Sequence, residues 1–239
     1  MNGTLVENME DPLLIKIRQQ VAAMPIEEKQ QLAVGLVQKE LEHCKNDLLY
    51  WLTEYVYSLD EHDKENPVKK LPMEKEYLRD MVTLFLNERL LLIEKSRQMM
   101  VTWFMVAAHL WDAMFHAGRR IAFQSKKEQD ANNLVDRAKF IYEHLPEFMK
   151  QVQYRADPYA YCKLQFGKLN SIIQGIPQGP EQLRQYTYSR VFNDEMPFQE
   201  QKEEAYIAAL PTIKGGGSYI GCGSPNFKEF FYLLKSDKI

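Results

Sequence analysis

The sequence predicts an α/β protein: a mostly parallel β-sheet flanked by helices, with a helical appendage at the N-terminus. Three observations predict it. Beyond residue 75, apolar segments of strand length alternate with stretches of helical periodicity, the pattern of strands joined by crossover helices. Residues 12–57 instead carry apolar positions at helical spacing and no strand signal. A chain of 239 residues, 45% of them hydrophobic, fills one large core and leaves a small appendage over.

The elements follow in order. In "MPIEEKQQLAVGLVQKELEHCKNDLLYWLTEYVY", Leu32, Leu36, Leu41, Leu48, Leu49 and Leu52 fall near helical spacing, and Pro25 stands where a proline begins a helix. The stretch "SLDEHDKENPVKKLP" breaks the period with charge and two prolines and reads as a loop. We therefore divide the chain into a helical N-terminal segment, residues 1–48, and a main domain, residues 49–239. A helix is predicted over Lys75–Asn87, then strand Leu90–Ile93, helix 102–117, strand Arg120–Gln124 and helix 127–145. Strands near 161–166 and 171–174, strand 188–193, helix 200–209 and strand 218–223 complete the domain. In the helix 102–117, Trp103, Val106, Ala107, Leu110, Trp111 and Met114 form an apolar face for a sheet. Gly118 sits where a helix-ending glycine belongs.

Composition narrows the function classes. The N-terminus lacks a basic start followed by an apolar stretch, and no run approaches the ~18 apolar residues that span a bilayer, so neither secretion nor membrane insertion is expected. Cys44, Cys162 and Cys222 are odd in number and widely spaced, which suggests no disulfide framework and fits a reducing cytosol. The net charge of −3 hides an asymmetry: residues 1–68 hold 6 Lys+Arg against 13 Asp+Glu, and residues 69–239 hold 24 against 20. A mildly basic body permits a polyanionic partner without requiring one. Arg119, Arg120, Lys126 and Lys127 flank one strand, either as a patch for a nucleic-acid backbone or as solvated charge.

Three segments carry chemistry. "LLLIEKSRQMMVTW" is a buried strand, a short polar turn and a helix start, the place where nucleotide-binding folds cradle phosphate. The turn has no glycine, its lysine, Lys95, precedes it, and only Thr102 occupies the usual hydroxyl position. "YTYSRVFNDEMPF" is an apolar strand ending in Asp194-Glu195, either a helix cap or the pair that hydrolysis needs, one carboxylate for magnesium and one for the attacking water. "GGGSYIGCGSPN" is a short strand ending in Ser224-Pro225-Asn226, a simple turn or a sensor of the γ-phosphate in the crevice where strands end. The order of the three favours the nucleotide reading of each.

From about Leu49 to Asn226 the chain resembles the N-terminal ATPase domain of the large terminase subunit of tailed bacteriophages. "KSRQMMVTW" resembles the phosphate loop of that family, "LRQYTYSRVFNDEMPF" its Walker B strand, and "GSPN" its ATPase coupling motif. The resemblance implies a P-loop NTPase-type sheet of the RecA-like kind, ATP and Mg2+ as cofactors, and a motor that translocates double-stranded DNA into a procapsid. It implies a homo-oligomeric ring on a portal, a small terminase subunit as partner, the host cytoplasm as location and no membrane. Lys95 is then a phosphate lysine at the start of a deviant loop, and Arg97 a second cation. The nucleotide-binding set comprises Lys95, Ser96, Arg97, Gln98, Met99, Met100, Val101, Thr102 and Trp103, with Tyr77 as a stacking residue where the family often has Tyr-Gln. Thr102 and Asp194 are the magnesium residues, Glu195 orients water, and Ser224, Pro225 and Asn226 couple hydrolysis to movement. No acidic nuclease cluster is expected within residues 1–239. A helicase-like P-loop ATPase, or a nucleotide-binding assembly module without hydrolysis, is the alternative.

Overall fold

A computed structural model describes residues 21–150 and 161–225; the predicted helical residues 12–20 and the coupling residue Asn226 lie outside them. The chain divides into two compact units, residues 1–43 and 44–239. Helix α1 (Ile26–Asn46) begins in the first unit behind Pro25 and has two acidic residues, Glu27 and Glu28, in its first turn, where they complement the helix dipole.

The helical run expected through residue 57 is interrupted at Asp47. Its carboxylate accepts from the amide of Tyr50 at 2.8 Å and caps a new helix, α2 (Leu48–Tyr55). The following charged stretch is not a plain loop, as its prolines suggested, but an antiparallel hairpin of β1 (Tyr57–Leu59) and β2 (Val68–Lys70). Its long connection is organised by aspartates: Asp60 accepts from the amide of His62, Asp63 from the amides of Glu65 and Asn66, and Lys69 bridges both carboxylates at 2.9 Å. Strands of three residues carry no readable alternation, so the periodicity missed them.

Next come α3 (Glu76–Asn87), β3 (Leu90–Glu94), α4 (Val101–Phe115), β4 (Arg120–Ser125), α5 (Glu128–Glu143), β5 (Lys163–Phe166), β6 (Ser171–Pro177), α6 (Glu181–Arg184), β7 (Arg190–Asn193), α7 (Lys202–Lys214) and β8 (Ser218–Gly223). The sheet runs β3-β8-β7-β4-β6-β5, and every pairing is parallel except β5 against β6. Helices cover both faces. Ala122 and Val191 pack on one side with Ala205, Ala209 and Tyr219. Their neighbours Phe123 and Phe192 point to the other side, where His109 of α4 meets both rings at under 6 Å. Burial, more than the charge of Arg190, pushes His109 down to about 3, so it serves as a neutral core side chain.

At the N-terminal edge of the strands, Asp112 of α4 is almost fully buried. It accepts from Arg190 Nε at 2.8 Å and forms an ion pair with Arg119 at 3.1 Å, and His116 Nδ1 lies 3.2 Å from its Oδ1. Burial alone would raise its pKa, but the hydrogen bond from His116 and the two guanidinium charges hold it down at about 2. A folded-state value below the ordinary 3.8 contributes stability that is complete above pH 3.8 and is lost as pH falls through about 2. Removing the carboxylate would leave buried arginine charge unpaired. Asp112→Ala is therefore expected to cost about 3–5 kcal/mol in a urea titration.

Candidate functional site

In an open parallel sheet the C-terminal strand ends line one crevice. Here β3 ends at Glu94, β7 at Asn193 and β8 at Gly223, and the residues that follow are Lys95, Asp194-Glu195 and Ser224. Lys95 enters as its amide donates to Gly223 O at 3.0 Å. Its side chain is 9% exposed and places the ammonium 3.2 Å from Glu195 Oε1. Thr102, in the first turn of α4, places its hydroxyl 3.3 and 3.4 Å from the two oxygens of Asp194. Residues from two distant segments thus form one cluster.

The loop between β3 and α4 achieves its turn without glycine. Gln98 (φ 62°) and Met100 (φ 57°) both take the left-handed conformation, at a cost of roughly 1–2 kcal/mol for each non-glycine residue. Tyr77 steadies the turn, its hydroxyl donating to Met99 O at 2.9 Å, and Gln98 lies 3.3 Å from His62 of the hairpin connection. Met100 supplies no side-chain cap to α4, which leaves the helix N-terminus able to receive an anion.

Glu195 is also left-handed, at φ 52°, in the tight turn that leads from β7 into the single 3-10 turn Met196–Phe198. That turn lies directly on β8. A Cβ at Gly223 would come within 2.3 Å of Pro197, and one at Gly221 within 2.6 Å of Met196 Sδ. The glycines of "GCGSPN" therefore let the segment carrying Glu195 close over the strand that ends at Ser224.

Asp194 is 8% exposed. Burial, together with the nearby Glu195 charge, pushes its pKa up to about 6 against the opposing pull of Lys95 and Arg137. Burial would lower the Lys95 ammonium, yet the surrounding negative groups outweigh it and raise its pKa. Cys222 belongs to that surrounding set, but burial keeps its thiol protonated far above neutral pH, so the two carboxylates are what hold Lys95 charged.

Beneath the pair lies a buried polar network that sequence patterns did not single out. Asn193 donates to Gln124 Oε1 at 3.1 Å and to Tyr219 OH at 2.9 Å. Gln199 reaches Asn193 Oδ1 and, at 3.0 Å, Asp194 O. Gln124 donates to Pro177 O and Gly179 O, at 3.1 and 3.0 Å. Polar residues inside the otherwise apolar β4 and β7 were the available signal, since buried amides are mostly hydrogen-bonded; within this network Gln199 Oε1 is buried without a partner among the described residues.

A cavity of about 610 Å³ adjoins the cluster at Lys95 and Thr102; it is lined further by Gln98, Met99, Met100, Val101 and Trp103 from the loop and α4, by Arg137 from α5, and by hairpin residues including Lys69 and Lys70, while Asp194, Glu195 and Ser224 do not line it. Besides Asp60 and Glu61 it is lined by five cations, with Lys75 the fifth, of which Lys69 is already paired with Asp60; the remaining excess of positive charge suits an anionic small molecule. Ser96 and Arg97 are exposed on the loop and do not line it, and Tyr77 holds the loop from behind instead of facing the cavity. Ser224 is half-buried at the end of β8, and Pro225 is exposed. The two basic pairs suspected of contacting nucleic acid do not form one patch. Arg119 and Arg120 stand at one end of β4 and Lys126 and Lys127 at the other, about 20 Å apart at the rise of a strand. Arg119 is committed to Asp112, and Arg120 lies over the ring of Tyr186.

Taken together, the sheet order and the flanking helices define a mixed α/β fold with a mostly parallel six-stranded sheet, and the lysine, threonine and paired carboxylates lie at its C-terminal edge. No family model matches the chain. Among solved structures, the large terminase of bacteriophage HK97 matches with a TM-score of 0.59 at 12% identity, over 81% of this chain and 40% of that one. The large terminase ATPase domain of Thermus phage P74-26 matches with a TM-score of 0.48 at 16% identity, over 60% and 62%. A large terminase of a thermophilic bacteriophage in complex with ADP gives 0.47 at 14% identity, over 63% and 39%. The likeness to the HK97 protein establishes a shared fold, and this chain spans 40% of that protein's length.

Proposed function

We propose that the chain is the ATPase motor domain of a viral large terminase, which hydrolyses ATP with Mg2+ to drive double-stranded DNA into a procapsid. The observation that carries this reading is the single cluster in which Lys95 meets Glu195 at 3.2 Å while Thr102 meets Asp194 at 3.3 Å. A lysine and a hydroxyl from a strand-to-helix turn, facing two carboxylates from a neighbouring strand end, are the parts phosphoryl transfer requires.

ATP enters the cavity with its phosphates at the N-terminus of α4, and Lys95 turns from Glu195 to the β- and γ-phosphate oxygens. Glu195, freed of its ion pair, accepts a hydrogen bond from the water in line with the γ-phosphorus and orients it. The Thr102 hydroxyl and the Asp194 carboxylate are adjacent hard oxygen donors, the kind that suits Mg2+ with its retained waters. Bound there, Mg2+ supplies neutralisation of the charge on the phosphate oxygens. Loss of the γ-phosphate is felt at Ser224, whose strand end is joined to Lys95 through the Gly223 carbonyl. In the full motor the domain works in a homo-oligomeric ring on a portal, with a small terminase subunit, in the host cytoplasm.

The test is phosphate release from ATP with Mg2+ over a range of protein concentrations, with and without double-stranded DNA. Turnover that depends on Mg2+ and rises with concentration is expected. Absence of turnover together with absence of ATP binding would overturn the reading.

A pH dependence follows from Asp194. Its folded-state value of about 6 lies above the ordinary 3.8, so the stability it contributes is complete below pH 3.8, falls as pH rises between the two values and is gone above about 6. Mg2+ binds the ionised form. It is expected to raise the thermal midpoint above pH about 6 and to have little effect below it, as scanning calorimetry with and without the cation would show.

A further inference from the structure

A second cavity, of about 680 Å³, lies at the N-terminal end of β4 and β6, away from the strand ends that carry Lys95 and the two carboxylates. The sheet register sets its floor: Arg120 of β4 is level with Ile172 of β6, and Ile172 with Gln165 of β5. Residues level with one another project to the same face, and two strand spacings put Arg120 and Gln165 about 10 Å apart. Along β5 the exposed Gln165 alternates with the buried Leu164 and Phe166. Phe166, on the other face, meets Tyr142 of α5 at 5.8 Å. The face that holds Gln165 is left open.

One wall is the single 3-10 turn Gly167–Leu169 between β5 and β6. Asn170 ends it in the left-handed conformation, at φ 51°, and Leu169 O accepts from the amide of Gly118 at 2.8 Å. Ser171 Oγ accepts from the amide of Arg119 at 3.0 Å and donates to His116 O at 2.8 Å. The turn is thereby tied to the end of α4, and it presents Lys168 from a fixed backbone. Thr187, just ahead of β7, completes the lining.

This lining is basic and unpartnered. Arg120 and Lys168 bring charge, Gln165, Asn170 and Thr187 bring neutral donors, and no carboxylate lines the cavity. Among the described residues none of these five side chains makes a hydrogen bond or an ion pair. The Arg120 guanidinium lies over the ring of Tyr186 at 4.5 Å, a contact that occupies its flat face and leaves its in-plane donors unused. A single exposed lysine is ordinary. Two cations and three neutral donors around one hollow, with no acid among them, concentrate positive potential where an anion can enter.

We propose that this cavity is a second anion site, one that receives phosphate groups. A lysine point charge and a planar arginine fork, with amide and hydroxyl donors beside them, match the charge and the many acceptor oxygens of phosphate, and the width of the floor admits a diphosphate. The phosphate belongs either to a small free anion or to a nucleic-acid backbone. It binds whether or not ATP is hydrolysed at the other end of the strands.

Backbone amide spectra of the isotope-labelled chain, titrated with inorganic pyrophosphate and separately with a short DNA duplex, follow each cavity by its own residues. The amides of Gly118, Gly167 and Asn170 are expected to shift saturably. Lys168→Gln and Arg120→Gln are each expected to weaken that response by about tenfold, the scale of one lost charge-assisted hydrogen bond, while any response at residues 100–102 is unchanged. A well-dispersed spectrum shows that each variant is folded. Saturable shifts with the duplex, or displacement of pyrophosphate by it, assign the site to a nucleic-acid backbone. Shifts with pyrophosphate that the duplex neither reproduces nor reverses assign it to a small free anion. Absence of a saturable shift at these amides with both probes would overturn the proposal, and so would a response that both substitutions leave unchanged.

Discussion

Glu195→Gln is expected to leave ATP binding intact while reducing hydrolysis by about a thousandfold, the scale of a positioned general base. The amide is almost the same size, so the tight turn at Glu195 and its seat on Gly223 remain. What disappears is a strong acceptor for the attacking water. The ion pair with Lys95 disappears as well, and this sets the direction of the binding change: a lysine no longer held at 3.2 Å by a carboxylate is freer to engage phosphate. ATP affinity should therefore stay level or rise as turnover collapses. Single-turnover phosphate release and equilibrium ATP binding measure the two halves separately. Hydrolysis retained in this variant would reduce Glu195 to a turn residue.

Lys95→Ala is expected to abolish detectable turnover and to weaken ATP binding by about a hundredfold, the scale of a lost charge-assisted contact to phosphate. A second effect reinforces the first. Lys95 is the strongest influence keeping the Asp194 pKa from rising further, so its removal shifts that carboxylate toward the protonated form near neutral pH. Magnesium binding should then fail along with phosphate binding, and excess Mg2+ should not rescue the variant. Lys95→Arg should rescue poorly, because a rigid planar fork does not replace a flexible point charge in a position 9% exposed. Turnover by Lys95→Ala at wild-type rates would remove Lys95 from the phosphate site.

The alternation of strands and helices was legible because the inner strands β4, β7 and β8 are buried on both faces and read as apolar runs; β3, expected to be buried, is instead partly exposed at the sheet edge. Lys95, Thr102, Asp194 and Glu195 were legible because each lies at the end of such an element, where a polar residue after an apolar run is conspicuous. The hairpin at 57–70 was not, since its order comes from aspartate side chains bonding to nearby amides and not from periodicity. Arg137 was hidden for another reason. On a helix, a cation facing a cavity and a cation facing solvent look the same until the rest of the lining is known, and Trp103, whose ring the guanidinium lies over, is far from it in sequence. The same holds for Gln124, Asn193, Tyr219 and Gln199, which meet only after three strands have been laid side by side.

The placement of β3 has a consequence for how the chain is made. In the main sheet this strand is an outer one, and its ladder is formed with β8 alone, Leu90 against Tyr219 through Glu94 against Gly223. Pairings so far apart in sequence close late, after the loop entropy between them has been overcome. During synthesis the inner strands β4, β6 and β7 can assemble first, while the segment bearing Lys95 waits for nearly the whole domain to leave the ribosome. The meeting of Lys95 with Glu195 is thus completed only when this outer strand closes on β8, after the core beneath it has formed.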